Sequence, residues 1–104
     1  NVDSLHPAVL RMVKAAAEAG ARRGKWVGVC GSLASDPVAA PLLIGLGVTE
    51  LSAAPRRTPA IKAVVRTLTL GDCRSVAVET LDLASADEVR KRVLSQWPQI
   101  EDWL

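Results

Sequence analysis

A chain of 104 residues, 49% of them hydrophobic, is long enough for one compact domain with a real core. Its formal net charge of only +2 lacks the concentrated basic stripe that nucleic-acid binding uses, and the pairs Arg22-Arg23 and Arg56-Arg57 are too short to supply one. Two cysteines do not make a disulfide framework, so a reduced, cytoplasmic setting is expected; no stretch is apolar for long enough to span a bilayer, and none reads as a signal peptide. With three Trp and no Phe or Tyr, aliphatic residues and alanines must fill the core. The first residue is Asn rather than Met, and the expectation is that residues 1–104 are one segment of something larger.

His6-Pro7 opens a helix, with Pro in the first turn where its missing N–H costs nothing. Val9, Leu10, Val13, Ala16 and Ala17 follow as a stripe of mostly small residues that would let the helix approach a sheet closely, and Gly20 and Gly24 bracket its end. Trp26 to Cys30 reads as a short strand. It has no polar alternation, so both faces are expected to be buried, as in parallel sheets. The turn Gly31-Ser32-Leu33-Ala34-Ser35 leads to Asp36-Pro37, which reads as a capped helix start. Pro41 conflicts with a start at Pro37, because it would forfeit an internal hydrogen bond, and a start at Pro41 itself is the alternative. Leu42, Leu43, Ile44 and Leu46 continue, with Gly47 as a left-handed stop.

Val48 to Ala53 is the second strand. Thr58-Pro59 is expected to cap a helix carrying Ile61, Val64, Val65 and Leu68 at i, i+3, i+4 and i+7. Thr69 can cap the next, with Cys73, Val76, Ala77 and Thr80 on one face. Ser85 and Glu88 have capping-box spacing ahead of Val89, Val93 and Trp97, and Pro98 ends that helix. The order helix, strand, helix, strand, then helices implies an α/β fold with a parallel sheet. Two strands alone would leave open edges and apolar faces, so the pattern is that of a slice of a larger α/β architecture.

Cys30 stands out within this pattern. It lies at the carboxyl end of a strand, where ligands bind in α/β folds. Read from the residues alone, it is also consistent with a plain buried thiol, since free Cys is among the most buried residue types.

The string Gly28-Val29-Cys30-Gly31, Leu33-Ala34-Ser35-Asp36-Pro37, Pro41-Leu42-Leu43-Ile44-Gly45-Leu46-Gly47 and Glu50-Leu51-Ser52 resembles the end of Enzyme I, the phosphoenolpyruvate–protein phosphotransferase of the bacterial sugar phosphotransferase system. Pro59-Ala60-Ile61-Lys62 and Val65-Arg66 continue the likeness, and His6 to Arg11 precede it, so that it covers residues 6 to about 81. The resemblance implies the last part of a (β/α)8 TIM barrel that binds phosphoenolpyruvate, with the two strands as its seventh and eighth. It implies that Cys30 is the acid–base residue that protonates the pyruvate enolate at carbon, after the phosphoryl group has left for a histidine on another domain. It also implies a magnesium cofactor whose ligands are absent from this chain, an HPr-like phosphocarrier as downstream partner, and a homo-oligomer.

The chemistry suits a thiol, which at an ordinary pKa of about 8.5 still carries its proton at neutral pH. Ser32 departs from the family, which commonly carries Glu after the Cys-Gly pair, and this tilts the likeness toward fructose-type multidomain relatives. Gly31 and Ser32 are the residues placed next to the thiol, and Gly31 is expected to permit close backbone approach. Lacking the substrate arginines, the metal ligands and the phosphorylated histidine, the segment alone is expected to be inactive.

Other residues have plainer readings. Cys73 reads as core packing, His6 as part of a helix entrance, Asp36 as a cap, and Arg56-Arg57 as solvated surface. Two other functions compete: a barrel segment of pyruvate phosphate dikinase or phosphoenolpyruvate synthase, and a non-catalytic dimerisation module whose open strand edges pair between copies.

Overall fold

The computed structural model describes residues 3–104. Helix α1 (Pro7–Arg22) begins as expected, with His6 as its cap: the imidazole Nδ1 accepts from the Ala8 N–H at 3.1 Å. Of the small-residue stripe, Leu10 and Ala17 are buried and Val13 packs against the core edge, whereas Ala16 is exposed. Gly24 then turns the chain with a φ of +64°, a conformation that L side chains resist.

Strand β1 (Gly28–Cys30) and strand β2 (Glu50–Ser52) form a two-stranded parallel sheet with Gly28 opposite Glu50, Val29 opposite Leu51 and Cys30 opposite Ser52. Both are shorter than the spans read from sequence. The pairing is extended backwards by Thr49, whose hydroxyl donates to Val27 O at 3.0 Å and accepts from Val27 N–H at 3.1 Å. The expectation of two buried faces fails. Val29 and Leu51 pack on the hydrophobic core, but Gly28, Cys30, Glu50 and Ser52 on the other face are exposed, and Trp26 is 85% exposed. The physical reason is that helices cover one side of the sheet only, so strand alternation becomes an inside and an outside.

The core is centred on helix α2 (Ala39–Gly45), whose residues Ala39 to Leu43 are all buried. It starts neither at Pro37 nor at Pro41. Asp36 makes a turn, its Oδ1 accepting from Val38 N–H at 3.0 Å and its carbonyl from Ala39 N–H at 3.0 Å. Pro41 falls at the third helical position, where the N–H has no intrahelical acceptor in any case. Gly47, at φ +98°, stops the segment as expected.

Helix α3 (Thr58–Val65) follows a short 3-10 turn, Pro55–Arg57. Thr58 is its first helical residue rather than its cap; the hydroxyl donates back to Ala54 O at 3.3 Å. Ile61 and Val64 are buried, but Val65 is exposed and Leu68 lies past the helix end. Helix α4 (Leu70–Thr80) is capped by Thr69 and buries Cys73, Val76, Ala77 and Thr80, the face read from sequence. It presses against α2 so closely that Gly45 faces the Cys73 carbonyl with no room for a side chain. Helix α5 (Ala86–Gln96) has the expected box: Ser85 Oγ accepts from Glu88 N–H at 3.2 Å, while Glu88 reaches back to Ala84 N–H at 2.8 Å. Val89, Val93 and Trp97 are buried beneath it, and Pro98 starts a closing 3-10 segment, Pro98–Trp103.

Candidate active site

The site is built where β1 and β2 end together. Parallel pairing in register puts Cys30 beside Ser52, on the face that also carries Gly28 and Glu50. All four are small or polar, and all are exposed. The Cys30 thiol is therefore open to whatever occupies that face, unlike Cys73, which is sealed in the core. Burial pushes the Cys73 thiol upward, with a smaller push from the Asp72 charge, and keeps it in its protonated, inert form.

Directly after Cys30, Gly31 takes φ +79°. A Cβ built there would meet nothing within 4 Å, so the glycine serves the left-handed backbone rather than the close approach expected of it. The loop that follows is a tight turn in which the Ser35 N–H is shared between Gly31 O at 3.1 Å and Ser32 O at 3.2 Å. Gly31 and Ser32 are exposed beside the thiol.

The loops after the two strands are stitched to each other. Ser35 Oγ accepts from Ala54 N–H at 2.9 Å. Arg57 Nε donates to Ser35 O at 3.3 Å, and its Nη2 donates to Trp103 O at 3.1 Å. Arg57 is thus half-buried and engaged, which corrects the reading of both arginines as solvated surface; Arg56 is exposed as expected. On the next residue, Asp36 pairs with Arg90 Nη2 at 2.9 Å, and the same guanidinium holds Asp3 at 2.9 and 3.0 Å. Asp36 is therefore both a turn former and one half of a tertiary ion pair. The Arg90 contact holds the Asp3 carboxyl below the usual range, and the two carboxylates push Arg90 upward. Neither arginine's role had a local signal, because their partners are tens of residues away along the chain.

Other features lie away from the thiol. His6 is occupied as a helix cap. Among the described residues no three His, Cys, Asp or Glu side chains converge on a point. A groove of about 530 Å³ runs between α2, β2 and α3, lined by Ile44, Val48, Leu51, Ile61 and Val65 with Lys62 and Arg66 at its rim. It sits on the Leu51 side of the sheet, opposite Cys30. Among the described residues no helix is long and apolar enough to cross a membrane.

Residues 1–70 match the family described as PEP-utilising enzyme, PEP-binding domain. The chain belongs to this family. Within it, the multiphosphoryl transfer protein of Xanthomonas campestris pv. campestris is 48% identical over 88 residues, covering 85% of this chain and 10% of that protein. The phosphoenolpyruvate-protein phosphotransferase of Mycoplasma genitalium is 42% identical over 89 residues, covering 86% of this chain and 16% of that protein. The multiphosphoryl transfer protein of Rhodobacter capsulatus is 43% identical over 88 residues, covering 85% and 11%. The chain therefore spans between 10% and 16% of the length of these relatives. The resemblance seen over residues 6 to about 81 and the family match point to the same group of proteins.

Proposed function

We propose that this chain is the terminal βαβα portion of a phosphoenolpyruvate-binding (β/α)8 barrel in a phosphoenolpyruvate–protein phosphotransferase, and that Cys30 is its carbon acid–base. The observation that carries the reading is the open thiol at the carboxyl end of β1, on a face of small and polar residues, in a chain of this family. On that reading the exposed face of Gly28, Cys30, Glu50 and Ser52 is the inner wall of the barrel. The helix-covered face, with Val29 and Leu51, is its outer wall.

The step assigned to Cys30 balances simply. The electron pair of the pyruvate enolate forms a C–H bond at carbon 3, the S–H bond breaks, and a thiolate and pyruvate remain. In the reverse direction the thiolate removes the same proton. Magnesium, which would neutralise charge on the phosphate and enolate oxygens, belongs with residues outside this chain, as do the phosphorylated histidine and the HPr-like carrier that receives the phosphoryl group for sugar uptake. The names of the relatives favour this reading over a dikinase or synthase. The segment alone is expected to be inactive, and the open edges of a two-stranded sheet favour self-association.

The test is Cys30→Ala in the whole protein, followed by exchange of pyruvate methyl protons with solvent. Exchange should be lost while phosphoenolpyruvate binding persists. Exchange at the unsubstituted rate would end the proposal.

A further inference from the structure

The loop after Cys30 is gripped at two successive residues by guanidinium groups from later elements: Ser35 O by Arg57, and the Asp36 carboxylate by Arg90. Arg57 fastens this loop to the closing 3-10 segment through Trp103 O, and Arg90 fastens it to Asp3 and α5. From Ser35 the path to the thiol is short. Its N–H donates to Gly31 O, and Gly31 is the residue bonded to Cys30. The Ser35 hydroxyl also accepts from Ala54 N–H, so both strand-end loops hang on the same residue.

We propose that Arg57 and Arg90 are positioning residues for the Cys30 thiol, together fixing the Gly31–Asp36 loop from outside the site. The inference rests on the proposed role of Cys30. It adds that the helices after the second strand set where the proton donor stands.

The donor set is suited to the task. A guanidinium presents a rigid fork of N–H groups, and Arg57 uses it to reach carbonyls of two segments far apart along the chain. An ammonium group puts its three donors on one nitrogen at the end of a flexible stem and lacks that fixed spacing. Arg57 is also occupied by these carbonyls, which leaves its bonded N–H groups unavailable to a phosphate. Proton transfer to carbon is sensitive to such support, because a misplacement of about 1 Å costs on the order of 100-fold in rate. The pairs themselves are partly exposed, so their removal should perturb the loop far more than the fold.

The experiment compares Arg57→Ala, Arg57→Lys and Arg90→Ala in the whole protein. It reads amide hydrogen exchange by mass spectrometry in the Gly31–Asp36 loop and in α4, together with the steady-state kinetics of pyruvate proton exchange. The expected result is loop exchange about tenfold faster in the alanine variants, with α4 unchanged. The turnover number should fall roughly 10- to 100-fold at a nearly constant KM, and Arg57→Lys should recover only part of it. The proposal is overturned if loop exchange is unchanged, if α4 loosens equally, or if the loop loosens with no change in turnover while Cys30→Ala abolishes it. Failure of the thiol reading looks different: Cys30→Ala would then leave proton exchange intact, whatever the loop amides do.

Discussion

Substituting Gly45 by Ala should be among the most damaging small changes in this chain. A Cβ at Gly45 would collide with the Cys73 carbonyl oxygen and sit 2.6 Å from its carbon and 2.9 Å from Ala77 Cβ. Two of the three are backbone, so no rotamer change relieves them, and α4 would have to retreat by about 1 Å. That retreat pulls Cys73, Val76, Ala77 and Thr80 away from α2, the most buried helix in the molecule. Overpacking of this kind costs about 1–3 kcal/mol, and a backbone neighbour places it at the upper end. Alanine returns up to about 1 kcal/mol through helix propensity, leaving a net loss of about 2 kcal/mol. Urea unfolding followed by far-ultraviolet circular dichroism should show a midpoint lower by about 1–2 M. Gly71→Ala is the internal control, because nothing lies within 4 Å of a Cβ there, and it should stabilise by about 0.4–1 kcal/mol. A Gly45→Ala protein as stable as its parent would refute the close-packing argument.

Four further outcomes are expected. A water-soluble thiol reagent should label Cys30 at once and Cys73 only on unfolding, and labelling of both at equal rates in native buffer would contradict their assigned environments. Asp3 and Glu79 have folded pKa values lowered by Arg90 and Arg92, so their contribution is complete above the ordinary carboxylate range; urea midpoints should fall as pH drops below about 4. Cys73 is raised by burial, so its contribution is complete below the ordinary thiol value; stability should decline as pH climbs past about 8.5, and Cys73→Ala should flatten that slope. Ser85→Ala should cost about 1 kcal/mol in the same assay, since it strips the acceptor from Glu88 N–H.

The parts of the fold that were legible in the sequence are those decided within one helical turn. Thr69 and Ser85 cap their helices because a hydroxyl two or three residues ahead of an N–H needs no distant partner. The Cys73, Val76, Ala77, Thr80 stripe and the Val89, Val93, Trp97 stripe were readable because helical periodicity names the buried face. The strands were located, but their environment was not. A run such as Trp26 to Cys30 carries no sign of which face will be covered, and here helices cover only one. The start of α2 was misjudged because Asp36 and Pro37 make a separate turn first, and the clamp at Ser35 and Asp36 was illegible because it joins positions 22 and 54 residues apart. Cys30 stands out in the sequence from its place at the end of a strand, and its proposed role comes from the resemblance, but its exposure is illegible there because it depends on the same one-sided covering.

The alternation along β1 and β2 divides labour at single-residue resolution. Val29 and Leu51 anchor the strands to the helices, and every second position is excused from that duty. Within this segment by itself, Gly28, Cys30, Glu50 and Ser52 are exposed and can thus be exchanged with little penalty to its folding. A saturation scan scored for expression should trace a sawtooth along each strand, tolerant at these four sites and intolerant between them.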